Sequence, residues 1–243
     1  MAFYEEISKY YDYIFPVSKE TVEFLKRTIG NPPKSVLDVA CGTGGYSIEL
    51  GKQGYGVTAV DIDRCMIEGL KDKTNNLNIK VNFLHANMLD LKDKLNSNKF
   101  EAVFCIGNSL VHLENLDEIE GFFRNVKGFI SKGGSLIVQV INYDRVISKG
   151  IRSLPTIYNE DVGLTFERLY GYDEEKNRVY FKTVLSAANK KFENEIPLYP
   201  LLFNDTKKML IDAGFEKIEF YGDFNGTSFD KDNSFMMILH ASV

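Results

Sequence analysis

No stretch of the 243-residue chain approaches the roughly 18 consecutive apolar residues that a membrane span needs, so no membrane partner is expected. The first residues, Met-Ala-Phe-Tyr-Glu-Glu, have neither the basic start nor the apolar centre of a secretory leader. Cysteine is scarce. Cys41, Cys65 and Cys105 are scattered, odd in number, and form no C-x-x-C pair and no zinc spacing. They read as reduced thiols of a cytoplasmic protein. Dense Lys/Arg runs are missing and the formal net charge is −5, which argues against a nucleic-acid partner, since such partners call for a basic face. No internal repeat, low-complexity tract or Gly/Ser/Pro linker occurs. What remains is ordinary globular composition, 44% hydrophobic and 26% charged, in a length that suits one α/β domain with an insertion.

The informative stretch is Val36-Leu-Asp-Val-Ala-Cys-Gly-Thr-Gly-Gly45. Val36, Leu37 and Val39 predict a strand buried on both faces. Gly42, Gly44 and Gly45 predict a tight turn that a ligand can approach closely, with a helix starting near Gly45. A second strand, Gly56 to Val60, ends in Asp61. That acid lies about 20 residues after the first glycine, where nucleotide-binding α/β folds place a carboxylate on a ribose diol. Gly42-x-Gly44 fits the first half of the dinucleotide fingerprint, but Ser47 stands where its third glycine belongs.

The longer string, Leu37-Asp38-Val39-Ala40-Cys41-Gly42-Thr43-Gly44-Gly45, resembles motif I of the class I S-adenosylmethionine-dependent methyltransferases, acid included. Gly107-Asn-Ser-Leu-Val-His-Leu113, after the expected fourth strand Phe100 to Ile106, resembles small-molecule members of the glycine N-methyltransferase type. The resemblance implies an α/β fold: a doubly wound, mostly parallel seven-stranded sheet with the last strand antiparallel. It implies S-adenosylmethionine as cofactor, S-adenosylhomocysteine as product and a small-molecule acceptor. Gly42 and Gly44 would then admit the methionine part, Asp38 would organise the turn, and Ala40 and Ile106 would border the cofactor. Asp61 would hold the ribose. Asn87 and Met88 stand at the adenine position, with Asn for the usual Asp, and Ile62 and Met66 would flank the ring or pack in the core.

Elsewhere the pattern is read locally. Phe3, Ile7, Tyr10, Tyr11 and Ile14 fit one helix face, either an edge cover or a lid whose Tyr11 meets the sulfonium. Ser18 is expected to cap Lys19–Ile29 and Asp63 to cap Arg64–Asp72. The periodicity from Leu116 to Ile130 predicts a helix closed by Gly133-Gly134. Asn108 and His112 face the expected cleft, as do Asn142, Tyr143 and Asp144 after the fifth strand. Asn108, Asn142, Tyr143 and Arg168 are the substrate candidates, and His112 and Tyr11 the catalytic ones. Alternation around Asp173–Asn177 predicts an antiparallel insertion roofing the cleft, with Arg168, Tyr170 and Tyr172 as candidate lining and Lys190–Ile196 as a third strand. Asn204 or Asp205 should cap a helix from Thr206 to Ala213, followed by two strands. The chain thus divides into lid and cofactor-binding core (1–150), insertion (151–200) and completion of the sheet (201–243).

The expected reaction is in-line attack on an activated methyl group. Orientation alone contributes up to about 7–11 kcal/mol, so a strong base is not required and an amine is favoured. No metal is expected. Two alternatives stand beside it, a nicotinamide-dependent dehydrogenase and a non-catalytic nucleotide-binding module.

Overall fold

The computed structural model describes residues 2–75, 77–95 and 98–243, with side chains from Ile7 onward. Helix α1 (Ala2–Ile14) buries Ile7 and Ile14, while the side chain of Phe3 lies outside the described residues. Ser18 caps α2 (Lys19–Ile29) by accepting from the Thr21 N–H, and Val22, Leu25 and Ile29 turn inward. Strand β1 (Ser35–Val39) leads into α3 (Gly45–Lys52), and β2 (Gly56–Asp61) into α4 (Arg64–Thr74). Asp63 caps α4, accepting from the N–H groups of Cys65 and Met66. Next come β3 (Val81–His85), α5 (Leu91–Lys94), β4 (Phe100–Cys105) and a single 3-10 turn (Leu110–His112). Helix α6 (Leu116–Lys127), β5 (Ile130–Ile141) and α7 (Tyr143–Ser148) follow. Four consecutive strands come after them: β6 (Ser153–Asn159), β7 (Leu164–Asp173), β8 (Arg178–Ala187) and β9 (Lys190–Leu198). Then α8 (Phe203–Asp212), β10 (Glu216–Tyr221) and β11 (Met236–Ser242) complete the order.

Seven strands form one sheet in the order β10-β11-β5-β4-β1-β2-β3. Its central pairs are parallel, and β11 runs antiparallel between β5 and β10. Period-two alternation splits the core. Leu37, Val39, Val103 and Val138 pack toward α6 and α8, whereas Val36, Val57, Phe104 and Ile137 pack toward α2 and α3. Cover on both faces is why these strands are continuously apolar. Strand order reverses between β1 and β4, so a ligand crevice opens beyond their carboxyl ends. Among the described residues, no helix is long and apolar enough to cross a membrane.

The insertion is a separate antiparallel sheet, β6-β7-β8-β9, with four strands rather than three. The sequence hid β6 because Pro155 interrupts it, and proline is tolerated at a sheet edge. Leu164, Phe166 and Tyr170 are buried, so residues 164, 166, 168 and 170 share the inward face of β7.

Three local expectations change. Helix α6 ends at Lys127 with Gly128 as its C-cap, so Phe129 lies beyond it, Ile130 opens β5, and the Gly133 N–H donates to the Val243 carbonyl inside that strand's pairing. Helix α8 begins at Phe203, with no capping side chain from Asn204 or Asp205. The Phe203 N–H donates instead to Asp144 Oδ2 at 2.8 Å, a carboxylate from the start of α7. Tyr172 turns its hydroxyl to Asn177 Oδ1 (3.2 Å) and lines no cavity described below.

Candidate active site

The chain leaves β1 through three left-handed residues, Ala40 (φ 58°), Gly42 (φ 56°) and Gly44 (φ 77°). Only glycine enters that region without strain, so Ala40 is held there by its surroundings. The Cys41 N–H donates to the Val60 carbonyl, and the Gly42 N–H donates to Asp61 Oδ2 at 2.7 Å. Asp61 Oδ1 accepts from the Asp63 N–H at 2.8 Å. Burial holds the Asp61 carboxyl above its ordinary pKa, with the backbone hydrogen bonds opposing. Asp38, in β1, is more strongly affected. Burial pushes it up to about 7 although Ser47 Oγ donates to it at 2.6 Å.

Two cavities flank this turn, of about 130 and 400 Å³, and both border Ala40 and His112. The smaller has apolar walls from Val39, Val60, Ala86 and Leu113, and polar groups from Asp61 and Asn87. Ile62, 63% exposed, and Met88 also line it. Asn87 Oδ1 accepts from the Leu89 N–H (3.0 Å), which fixes the amide orientation and leaves that oxygen a second lone pair.

The larger cavity lies between the α1–α2 link, the loop after β4, the inward face of the insertion and the β10–β11 loop. Asp38 and Ile106 line it, together with Asn108, His112, Arg168 and Tyr170. Asn108 has a left-handed backbone (φ 67°). Its Oδ1 accepts from the Ile141 N–H (2.9 Å) and its Nδ2 donates to Tyr143 Oη (3.0 Å). The His112 ring is accessible and makes no hydrogen bond among the described residues, yet the surrounding walls push its pKa below the ordinary value by desolvation. It is therefore neutral near pH 7. Arg168 Nη2 donates to the Pro155 carbonyl (2.7 Å), whereas its Nε is buried without a partner among the described residues.

Helix α1 closes over the turn. A Cβ on Gly42 would stand 3.0 Å from Tyr11 Oη and Cζ, so only glycine lets the tyrosine approach this closely. Asp12 Oδ1 accepts from Thr43 Oγ1 at 2.6 Å, and Lys73 pairs with the same carboxylate.

Tyr11, Asp38, Ala40, Ile106, Asn108, His112 and Arg168 thus converge on the larger cavity, and Ala40, Asp61, Ile62, Asn87, Met88 and His112 on the smaller. The remaining candidates point elsewhere. Gly42 and Gly44 line neither cavity, because the Tyr11 ring covers Gly42 and the Leu70 side chain fills the space a Cβ on Gly44 would take. Met66 is core, packed with Ile7, Ile14 and Phe166. Asn142 is buried and caps α7, donating to the carbonyls of Lys231 and Ser234 at 2.9 Å each. Tyr143, fully buried, braces Asn108 from behind. Sequence reasoning missed Gln139, whose Oε1 accepts from the Gly107 N–H at 2.9 Å. Its signal was a polar residue inside the apolar run Leu136-Ile-Val-Gln-Val-Ile141. Among the described residues, no group of three or more His, Cys, Asp or Glu side chains is placed to hold a metal ion.

Residues 36–134 match the family model of the methyltransferase domain. The glycine/sarcosine N-methyltransferase of Aphanothece halophytica is 26% identical over 223 residues, which cover 90% of this chain and 80% of that protein. The glycine N-methyltransferase of Mus musculus is 38% identical over 125 residues, covering 47% of this chain and 43% of the mouse protein. A solved S-adenosylmethionine-dependent methyltransferase from Clostridium acetobutylicum has the same fold, with a TM-score of 0.82 at 17% identity over 99% of this chain and 98% of that one.

Proposed function

The chain is a class I S-adenosylmethionine-dependent methyltransferase resembling the glycine N-methyltransferase type, and from that premise we propose that it methylates an amine nitrogen of a small molecule. The observation that carries this reading is the meeting of the two cavities at Ala40 and His112. One cavity brings Asp61 and Asn87 together between apolar walls, as a nucleoside requires, and the other is lined by Arg168, which has no carboxylate partner among the described residues, for an acceptor.

The residues present suit the cofactor. Asp61 offers acceptors for the ribose hydroxyls at the edge of the smaller cavity, and Asn87 Oδ1 has a lone pair for the adenine amino group. Met88, through its N–H, and the Ile62 side chain would complete that end, since both residues line the same cavity. Asp38, Ala40, Tyr11 and Ile106, which line the larger cavity, would border the methionine end, with Gly42 giving Tyr11 its approach. When bound, the cofactor supplies a methyl carbon activated by a sulfonium, whose sulfur departs with the bonding pair as a neutral thioether.

The chain's own work is positioning and proton removal. Arg168 and Asn108 orient the acceptor so that its nitrogen lone pair forms the new bond. The neutral His112 ring has a free nitrogen to take the proton an ammonium releases. Desolvation by the surrounding walls weakens it as a base, which suits an ammonium better than an alcohol. We place the reaction in the cytoplasm, in keeping with the scattered thiols of the sequence. The dehydrogenase alternative finds no support: the matched family is a methyltransferase, and β11 inserts antiparallel beside β5. The non-catalytic alternative finds none either, since the relatives are named as enzymes.

The test is transfer of a tritiated methyl group from S-adenosylmethionine to a panel of small amines, alcohols and thiols, with product mass spectrometry. N-methylation is expected. Product confined to oxygen or sulfur acceptors would overturn the amine assignment.

A further inference from the structure

Two buried polar atoms lack a hydrogen-bond partner among the described residues, and they belong to cross-strand neighbours of one strand pair. They are Arg168 Nε on β7 and Thr183 Oγ1 on β8, whose residues are directly opposed in the register. Thr183 is 4% exposed, and alternation puts it on the same face as Phe181, a wall of the larger cavity. An unmet buried donor costs free energy unless something fills it. No carboxylate acts on Arg168 among the described residues, where its neighbours are the Pro155 carbonyl and Tyr170. One anionic oxygen pair would satisfy both donors.

The walls beside this pair are apolar. Phe166, two residues from Arg168 on the same face and hence about 7 Å along the strand, packs its ring 5.8 Å from Phe15. Phe15, Val17 and Phe235 are 40%, 39% and 37% exposed, and all three line this cavity with Phe224. Exposed apolar groups gathered at one opening mark a surface awaiting a ligand. Glycine, with no side chain, would leave them uncovered.

We propose that Arg168 and Thr183 form an anion subsite and that Phe15, Val17, Phe224 and Phe235 form an adjoining apolar subsite. The acceptor is then an amino acid or amino acid-like amine with an aromatic or branched aliphatic body. This rests on the amine-methylation reading above and names the acceptor's class.

Calorimetry on protein saturated with S-adenosylhomocysteine tests the subsites without requiring turnover. 3-Phenylpropionate should bind at least tenfold more tightly than acetate. Arg168→Gln should abolish binding of both. Thr183→Val should weaken both several-fold, whereas Phe235→Ser should weaken only 3-phenylpropionate. If Thr183→Val merely raises Tm and leaves binding unchanged, Thr183 is removed from the subsite. Equal binding of the two acids overturns the proposal. Methyl transfer to phenylalanine, leucine and glycine is the second arm. A better kcat/KM for glycine overturns the acceptor class while leaving amine methylation intact. Selective binding of 3-phenylpropionate with no methylation of any amine leaves the subsites standing and sinks the amine assignment instead.

Discussion

The Gly42 N–H donates to Asp61 Oδ2 across 2.7 Å, so the acid that ends β2 holds the turn that ends β1. One carboxylate therefore has a structural duty and a proposed ligand duty. Asp61→Ala removes both. It should lower stability by about 1–3 kcal/mol, the cost of leaving buried donors unmet, and weaken S-adenosylhomocysteine binding more than tenfold. Asp61→Asn, which keeps an acceptor for Gly42, should recover much of the stability but less of the binding. Calorimetry at a temperature where each variant is folded separates the two effects. Binding within about twofold of wild type, roughly 0.4 kcal/mol, would reject the ribose assignment.

Asp38 imposes a pH dependence whose sign follows from its burial. Its carboxyl titrates near 7 in the folded chain, above its ordinary value of 3.8. The folded state therefore holds a proton that the unfolded state releases between about pH 4 and 7. Asp38's contribution to stability is full below that window and is lost as pH rises through it. Asp38→Asn, neutral throughout, should flatten the curve. Urea unfolding at pH 5 and pH 8 checks this, and the variant should lose less stability between the two than wild type does.

What could be read in advance was what nearby residues settle among themselves. Ser18 and Asp63 cap the helices that follow them, because a cap needs only the next two or three N–H groups. Asp144, which takes the start of α8, comes from 59 residues away, and no local signal marks it. The same limit explains the site. Asp61 and Asn87 reach their cavity from strand ends, which topology fixes. Asn142 and Tyr143 also follow a strand end, yet capping of α7 turns both inward. For Arg168, period two gave two equivalent faces, and only packing of Phe166 against the α1 side chains chooses between them.

Gly44 was expected to open the cofactor wall, but it makes room for Leu70. A Cβ there would lie 2.2 Å from a Leu70 methyl carbon, and its φ of 77° disfavours any L side chain. Gly44→Ala should therefore cost about 2–5 kcal/mol, combining backbone strain with overpacking. Gly107→Ala is the control: φ is 98°, but nothing lies within 4 Å of the added carbon, so strain alone remains. Leu70→Ala placed on top of Gly44→Ala should cost less than it does alone, since it removes the clash. Urea denaturation of the four variants gives the coupling directly.

Tyr11 separates a lid from an edge cover. Its ring stands over Gly42, and burial keeps its hydroxyl protonated at any physiological pH. If it meets the sulfonium, the ring rather than the hydroxyl is the working part. Tyr11→Phe should then bind S-adenosylmethionine nearly as wild type does. Tyr11→Leu keeps apolar bulk but loses the π face, and should raise Kd about 2- to 30-fold, as 0.5–2 kcal/mol of cation–π attraction implies. S-adenosylhomocysteine has a neutral sulfur, so its affinity should change much less in the same variant. A Tyr11→Leu chain that loses affinity equally for both ligands would show the tyrosine acting through packing of α1, held by Asp12 on Thr43, and not through charge.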